Sequence, residues 1–110
     1  MTPDEGATPP PEPPQAKTGE PVLKRIVTIT NKRGLHARAA ARFVMLAERF
    51  GASVDVLRDG QSVSARSIMG LMMLGAGPGA TIELCAEGWD AKEALDALAA
   101  LVEAGFDEQV

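Results

Sequence analysis

Residues 53–65 read SVDVLRDGQSVSA. Val54 and Val56 alternate with polar neighbours, and so do Val63 and Ala65. Each half is therefore patterned as a half-buried strand. Between them stands Asp59-Gly60, a pair suited to a two-residue turn in which both central residues take positive φ. The stretch reads as a β-hairpin, so its two strands run antiparallel.

Working toward the N-terminus, "VTIT" at 27–30 sets Val27 and Ile29 on one face and Thr28 and Thr30 on the other, the pattern of another strand. After Gly34, residues 37–50 place Ala40, Phe43, Val44, Ala47 and Phe50 at helical spacing, and Gly51 supplies a stop. Toward the C-terminus, "SIMGLMML" is short and apolar with Ser67 at the N-cap position, which predicts a short helix. "GAGPGA" is a loop and "TIELCAE" a fourth strand. Asp90 should cap a last helix whose Ala94, Leu95, Leu98, Leu101 and Val102 form one stripe, ending near Gly105. The order is β-α-β-β-α-β-α over residues 23–106. Helices from separate crossovers should cover one face of the sheet and leave the other wet.

Residues 1–21 hold seven of the eight prolines and no apolar periodicity. This stretch cannot bury enough surface to offset its chain entropy, so a disordered tail precedes one folded domain at 22–110. The chain contains three Phe, one Trp and no Tyr, so the core must rest on aliphatic residues, Met and Ala. Cys85 is the only cysteine, which excludes an internal disulfide and suits a small buried position in a strand. No apolar run reaches membrane-spanning length, and the N-terminus lacks the pattern of a secretory signal. A cytoplasmic, monomeric protein is expected.

The net charge of −4 is unevenly spread: residues 24–49 carry seven bases against Glu48, and residues 83–108 carry eight acids against Lys92. The basic half surrounds the only histidine, His36, in "NKRGLHARAA" at 31–40. An anionic group near His36 is favoured, whereas binding to bulk nucleic acid is not. His36 falls at or next to the N-cap of the first long helix. The N–H groups of a first turn lack intrahelical partners, and the helix end carries about half a positive charge. Arg38 adds a permanent planar cation suited to phosphate. This environment disfavours a protonated imidazole and favours a dianion on its nitrogen. No nearby Asp or Glu is expected to act as a base, and there is no glycine-rich nucleotide loop or metal constellation. A nucleophile with an anion cradle and little else suits a carrier, not a catalyst.

"GLHARAAARFV" at 34–44 and "SARSIMGLMMLGAGPGATIEL" at 64–84 resemble HPr, the histidine-containing phosphocarrier family of the phosphoenolpyruvate-dependent phosphotransferase system. The resemblance covers residues 22–106. It implies an α+β fold, an open-faced β-sandwich with a four-stranded antiparallel sheet and three helices on one face. It implies that His36 accepts a phosphoryl group on Nδ1 from phospho-enzyme I and passes it to a IIA-type protein, with Arg38 stabilising the group. By the same resemblance Ser67 is the serine that HPr kinase/phosphorylase modifies in some members, and Ile68, Met69 and Met72 belong to the partner-docking patch. No cofactor or metal is implied.

The Met content of "SIMGLMML" supports a docking role independently, because Met suits surfaces that accept several partners. Leu71 and Leu74 are expected inward. One departure is Ala39, where many transport-type members have Pro. The helix should survive, since Ala is the best helix former. Ala39 and "SIMGLMML" together resemble the proteobacterial regulatory branch, including its nitrogen-related chain. The competing reading is a binding module that carries no phosphate and is controlled through Ser67.

Overall fold

The computed structural model describes residues 21–108. Its elements are β1 (Leu23–Thr28), α1 (Ala37–Ala47), β2 (Ser53–Arg58), β3 (Gln61–Ser64), α2 (Ile68–Met73), β4 (Thr81–Glu87) and α3 (Ala91–Glu103), followed by a 3-10 turn at Gly105–Asp107. The strands form one sheet in the order β1-β4-β2-β3, with every pair antiparallel. This is the expected α+β order. The proposed tail lies, Pro21 apart, outside the described residues. Among the described residues, no helix is long and apolar enough to cross a membrane.

The hairpin turns as its sequence requires. Asp59 and Gly60 adopt φ of 50° and 79°, and Arg58 pairs with Gln61. β4 then enters between β1 and β2, opposing Val27 with Ile82, Val56 with Leu84 and Val54 with Ala86. These side chains join those of Ala40, Phe43 and Val44 from α1, Leu71 from α2, and Leu95, Leu98 and Val102 from α3 in a single buried cluster. All three helices therefore lie on one face of the sheet. Phe106, just beyond α3, is fully buried in the same cluster.

Several local expectations are corrected. α1 ends at Ala47, not at residue 50, because the following turns tighten: Arg49 and Phe50 donate to the carbonyls of Leu46 and Ala47. Gly51 lacks a positive φ, and the exposed Trp89 side chain lies over it. A Cβ there would lie 2.8 Å from the Trp89 indole nitrogen. Asp90 does occupy the N-cap of α3, but its side chain makes no cap bond. Its carboxylate instead accepts from the backbone N–H groups of Gly51 at 2.9 Å and Ala52 at 2.7 Å. The bond ties the loop after α1 to the loop after β4.

The far face of the sheet is not uniformly wet. Cys85 points away from the helices, in register between Lys24 and Asp55, yet is only 2% exposed. Burial pushes its thiol above the ordinary value; the Glu83 carboxylate adds to the rise, Lys24 opposes it, and Asp55 adds further.

Asp90→Ala should remove two charge-assisted bonds and strand the buried N–H of Ala52. The expected loss is about 2 kcal/mol, read as a fall of about 10 °C in the thermal midpoint. An unchanged midpoint would show that water replaces the carboxylate without cost.

Candidate functional site

The loop before α1 is held by its backbone. Gly34 adopts φ +64°, and a Cβ on it would lie 2.5 Å from the Ala76 carbonyl oxygen and 2.8 Å from Gly77 Cα. Only glycine fits this approach. Leu35 N–H then donates to the Ala76 carbonyl at 2.9 Å, and the Leu35 side chain is buried. The loop carrying His36 is thus seated against the loop between α2 and β4.

His36 is the N-cap of α1, with φ −77° and ψ 179°. Its carbonyl accepts from Ala40 N–H at 2.8 Å, which closes the first helical turn. Its side chain makes no cap bond, so the imidazole is not spent on the helix. The N–H groups opening α1 therefore keep their positive end unscreened by the ring. Arg38 is exposed on the first turn, while Ala39 is fully buried. The expected helix forms with Ala39 inside it.

Sequence reading missed the partner of the imidazole. His36 Nε2 is hydrogen-bonded to Glu108 Oε1. Asn31 Nδ2 donates to the same oxygen at 3.2 Å and to the Gly34 carbonyl at 2.9 Å. The expectation of no nearby acid is therefore corrected: the fold brings one across 72 residues. The bond from His36 holds the Glu108 carboxyl below the ordinary glutamate value. Partial burial opposes this fall, while the Asn31 bond and the charges of His36 and Arg33 add to it. An ionised carboxylate only accepts, so Nε2 is the donor in this bond, and in the neutral tautomer that leaves the lone pair on Nδ1. No local pattern could have announced Glu108, because the contact depends on where α3 ends.

The predicted α2 residues divide as expected. Leu71 and Leu74 are buried, and Ile68, Met69 and Met72 are exposed, Met69 to 71%. Met73 is 75% exposed and extends the patch. α2 packs on α1, and its C-terminal end leads into the Ala76–Gly77 loop beside Gly34. Ser67 is half-buried, and its Oγ accepts from Gly70 N–H at 2.9 Å, a full N-cap bond. Among the described residues, no three His, Cys, Asp or Glu side chains converge on a metal position.

Residues 23–104 match the family model described as "PTS HPr component phosphorylation site". The chain belongs to the HPr family. The phosphocarrier protein NPr of Shewanella violacea is 51% identical over 86 residues, 78% of this chain and 94% of that protein. The phosphocarrier protein HPr of Cupriavidus necator is 51% identical over 87 residues, 79% of this chain and 98% of that one. The crystal structure of HPr-C-His from Thermoanaerobacter tengcongensis superposes with a TM-score of 0.76 at 44% identity, covering 80% of this chain and 99% of that one. The HPr family is one of phosphocarriers, and similarity to NPr is consistent with the proteobacterial branch.

The Glu108 contact has a defined pH signature. Because its folded pKa is depressed, its contribution to stability is full above the ordinary value of 4.5 and is lost as pH falls through the lower folded value. Urea midpoints of wild type and Glu108→Gln should differ at neutral pH and converge in acid. A difference that persists in acid would mean the charge of Glu108 is not what the fold uses.

Proposed function

We propose that His36 is the phosphoryl acceptor of this HPr-family chain. It receives the group from phospho-enzyme I and passes it to a IIA-type protein in a regulatory phosphotransferase chain. The observation that carries this reading is the placement of the ring. His36 stands at the mouth of α1 with Nε2 occupied by Glu108, which leaves Nδ1 as the nitrogen free to act. In the transfer, the Nδ1 lone pair attacks phosphorus and the bond to the donor breaks. The proton on Nε2 stays in place. The arriving oxygens meet the positive end of α1 and the exposed Arg38 guanidinium, which spread their charge. The protein supplies a nucleophile and a cradle and takes both partner enzymes from outside, as a monomer in the cytoplasm.

The exposed Ile68, Met69, Met72 and Met73 are the apolar surface on which such partners would seat, on the helix that packs against α1. Ser67 is the regulatory residue of the competing reading. Its hydroxyl is already committed to the α2 cap, so modification by HPr kinase/phosphorylase would have to exchange that bond for the phosphate's own contacts. The cap alone accounts for the residue, and the carrier reading is preferred.

Incubation with enzyme I, phosphoenolpyruvate and Mg²⁺ should add one phosphate of mass, lost in acid and absent in His36→Ala. Retention of the phosphate by His36→Ala would move the site elsewhere. Met69→Asp should leave the thermal midpoint unchanged and weaken the enzyme I complex by about tenfold, the effect of putting a charge into a desolvated contact. Unaltered affinity in a titration would remove Met69 from the docking surface.

A further inference from the structure

The stretch after α3 has an unusual construction. Gly105, Phe106 and Asp107 have φ of +66°, +57° and +58°, so three consecutive residues lie in the left-handed region. Two of them carry side chains, and a bulky residue keeps this conformation only where its surroundings hold it. Here they do. The Phe106 ring is fully buried, and the Arg42 guanidinium of α1 donates to the Phe106 carbonyl. The chain is turned back sharply, and the next side chain it presents is Glu108. That carboxylate meets His36 Nε2 and Asn31 Nδ2 on one oxygen. The Asn31 amide is buried and also grips the Gly34 carbonyl of the loop that carries His36. Acid, amide and imidazole thus form a connected set whose members come from the β1–α1 loop, the N-cap of α1 and the segment after α3.

We propose that Glu108 is a positioning residue for phosphoryl transfer, holding the His36 ring by Nε2 so that Nδ1 faces the incoming phosphorus. The inference rests on His36 being the acceptor. Its chemistry follows from which nitrogen is occupied. A ring free to rotate or to exchange tautomers would spend part of its time with the wrong nitrogen presented; the carboxylate removes those states. Once Nδ1 bears the phosphoryl group, the ring still has its Nε2 proton and carries positive charge, which Glu108 faces directly. In onward transfer the N–P bond breaks, its electron pair returns to Nδ1, and a neutral imidazole departs instead of an anion. No proton needs to move in either direction. Glu108 stays ionised throughout, helped by the Asn31 bond and by Arg33.

The test uses the full chain with Glu108→Ala, Glu108→Gln and, as a control on α3, the exposed Glu103→Gln. Two readouts are taken. The first is the rate of phosphoryl uptake from phospho-enzyme I under single-turnover conditions. Glu108→Ala should be slowed about tenfold or more, as expected for a loosened nucleophile. Glu108→Gln, whose amide oxygen still accepts from Nε2, should recover part of the rate, and Glu103→Gln should match wild type. The second is a 13C titration of the Glu108 carboxyl in wild type and in His36→Ala. Its depressed value should return toward the ordinary one when the imidazole is removed.

Uptake by Glu108→Ala at the wild-type rate overturns the proposal while leaving His36 as the acceptor. A Glu108 carboxyl indifferent to His36→Ala overturns the contact itself. Phosphate gained equally by wild type and His36→Ala overturns the acceptor reading and the proposal with it. Equal slowing by Glu108→Ala and Glu108→Gln, with matching losses in thermal midpoint, reduces Glu108 to a structural residue and also overturns it.

Discussion

β4 is the strand on which the arrangement depends. It is the last to be made and lies between β1 and β2, neither of which touches the other. Until it arrives, β1 has no neighbour in the sheet and the hairpin stands alone. Two-stranded hairpins are marginal in water. Its insertion completes the row of Val27, Ile82, Leu84 and Val56 on which the helices rest. It also sets the two loops at its ends. The loop before it supplies the Ala76 carbonyl that seats Leu35 and His36, and the loop after it leads to Asp90, which fastens the far end of α1. Both ends of the helix that begins at His36 are thus located by one strand. Most of these pairings are distant in sequence, so the site is assembled only when the whole sheet is.

The separation of roles along α1 and α2 follows from ordinary packing rules. On α2, six residues long, only Leu71 is buried within the helix, and Leu74 is buried at its end. So short an element cannot hide more side chains without lifting off the core. The surplus methionines are therefore displayed, on a helix that packs against α1. A flexible thioether surface tolerates more than one contour of partner. A phosphocarrier that engages more than one partner in turn is served by such tolerance.

What could be read from residues alone was what depends on local repetition. The Asp59-Gly60 turn, the alternation at Val54 and Val56, the helical stripe at Ala40, Phe43 and Val44, and the Ser67 cap are all set by neighbours within a few positions. The place of His36 and Arg38 at the start of α1 was legible from the helical stripe that follows them. Asp90 looked like a cap because of its type and position, and only the fold discloses that its carboxylate serves the other loop. Glu108 and Asn31 were illegible for the same reason: their bonds join residues 31, 36 and 108, which nothing but tertiary structure brings together. Gly51 reads as a helix stop by type and position, yet it lacks a positive φ, and what lies close to it is the exposed Trp89 indole.

The hairpin that decided the topology has one more consequence, for the company the sheet keeps. β3 stands at its rim, and it is only four residues long. Gln61, Ser62 and Ser64 are exposed along it, and Val63 is the one apolar residue, half-covered from the helical side. A stray extended chain that tried to lengthen the sheet there would find few backbone groups to pair with and a polar strip to dehydrate. Brevity at that rim therefore guards this edge of the sheet against templated strand addition.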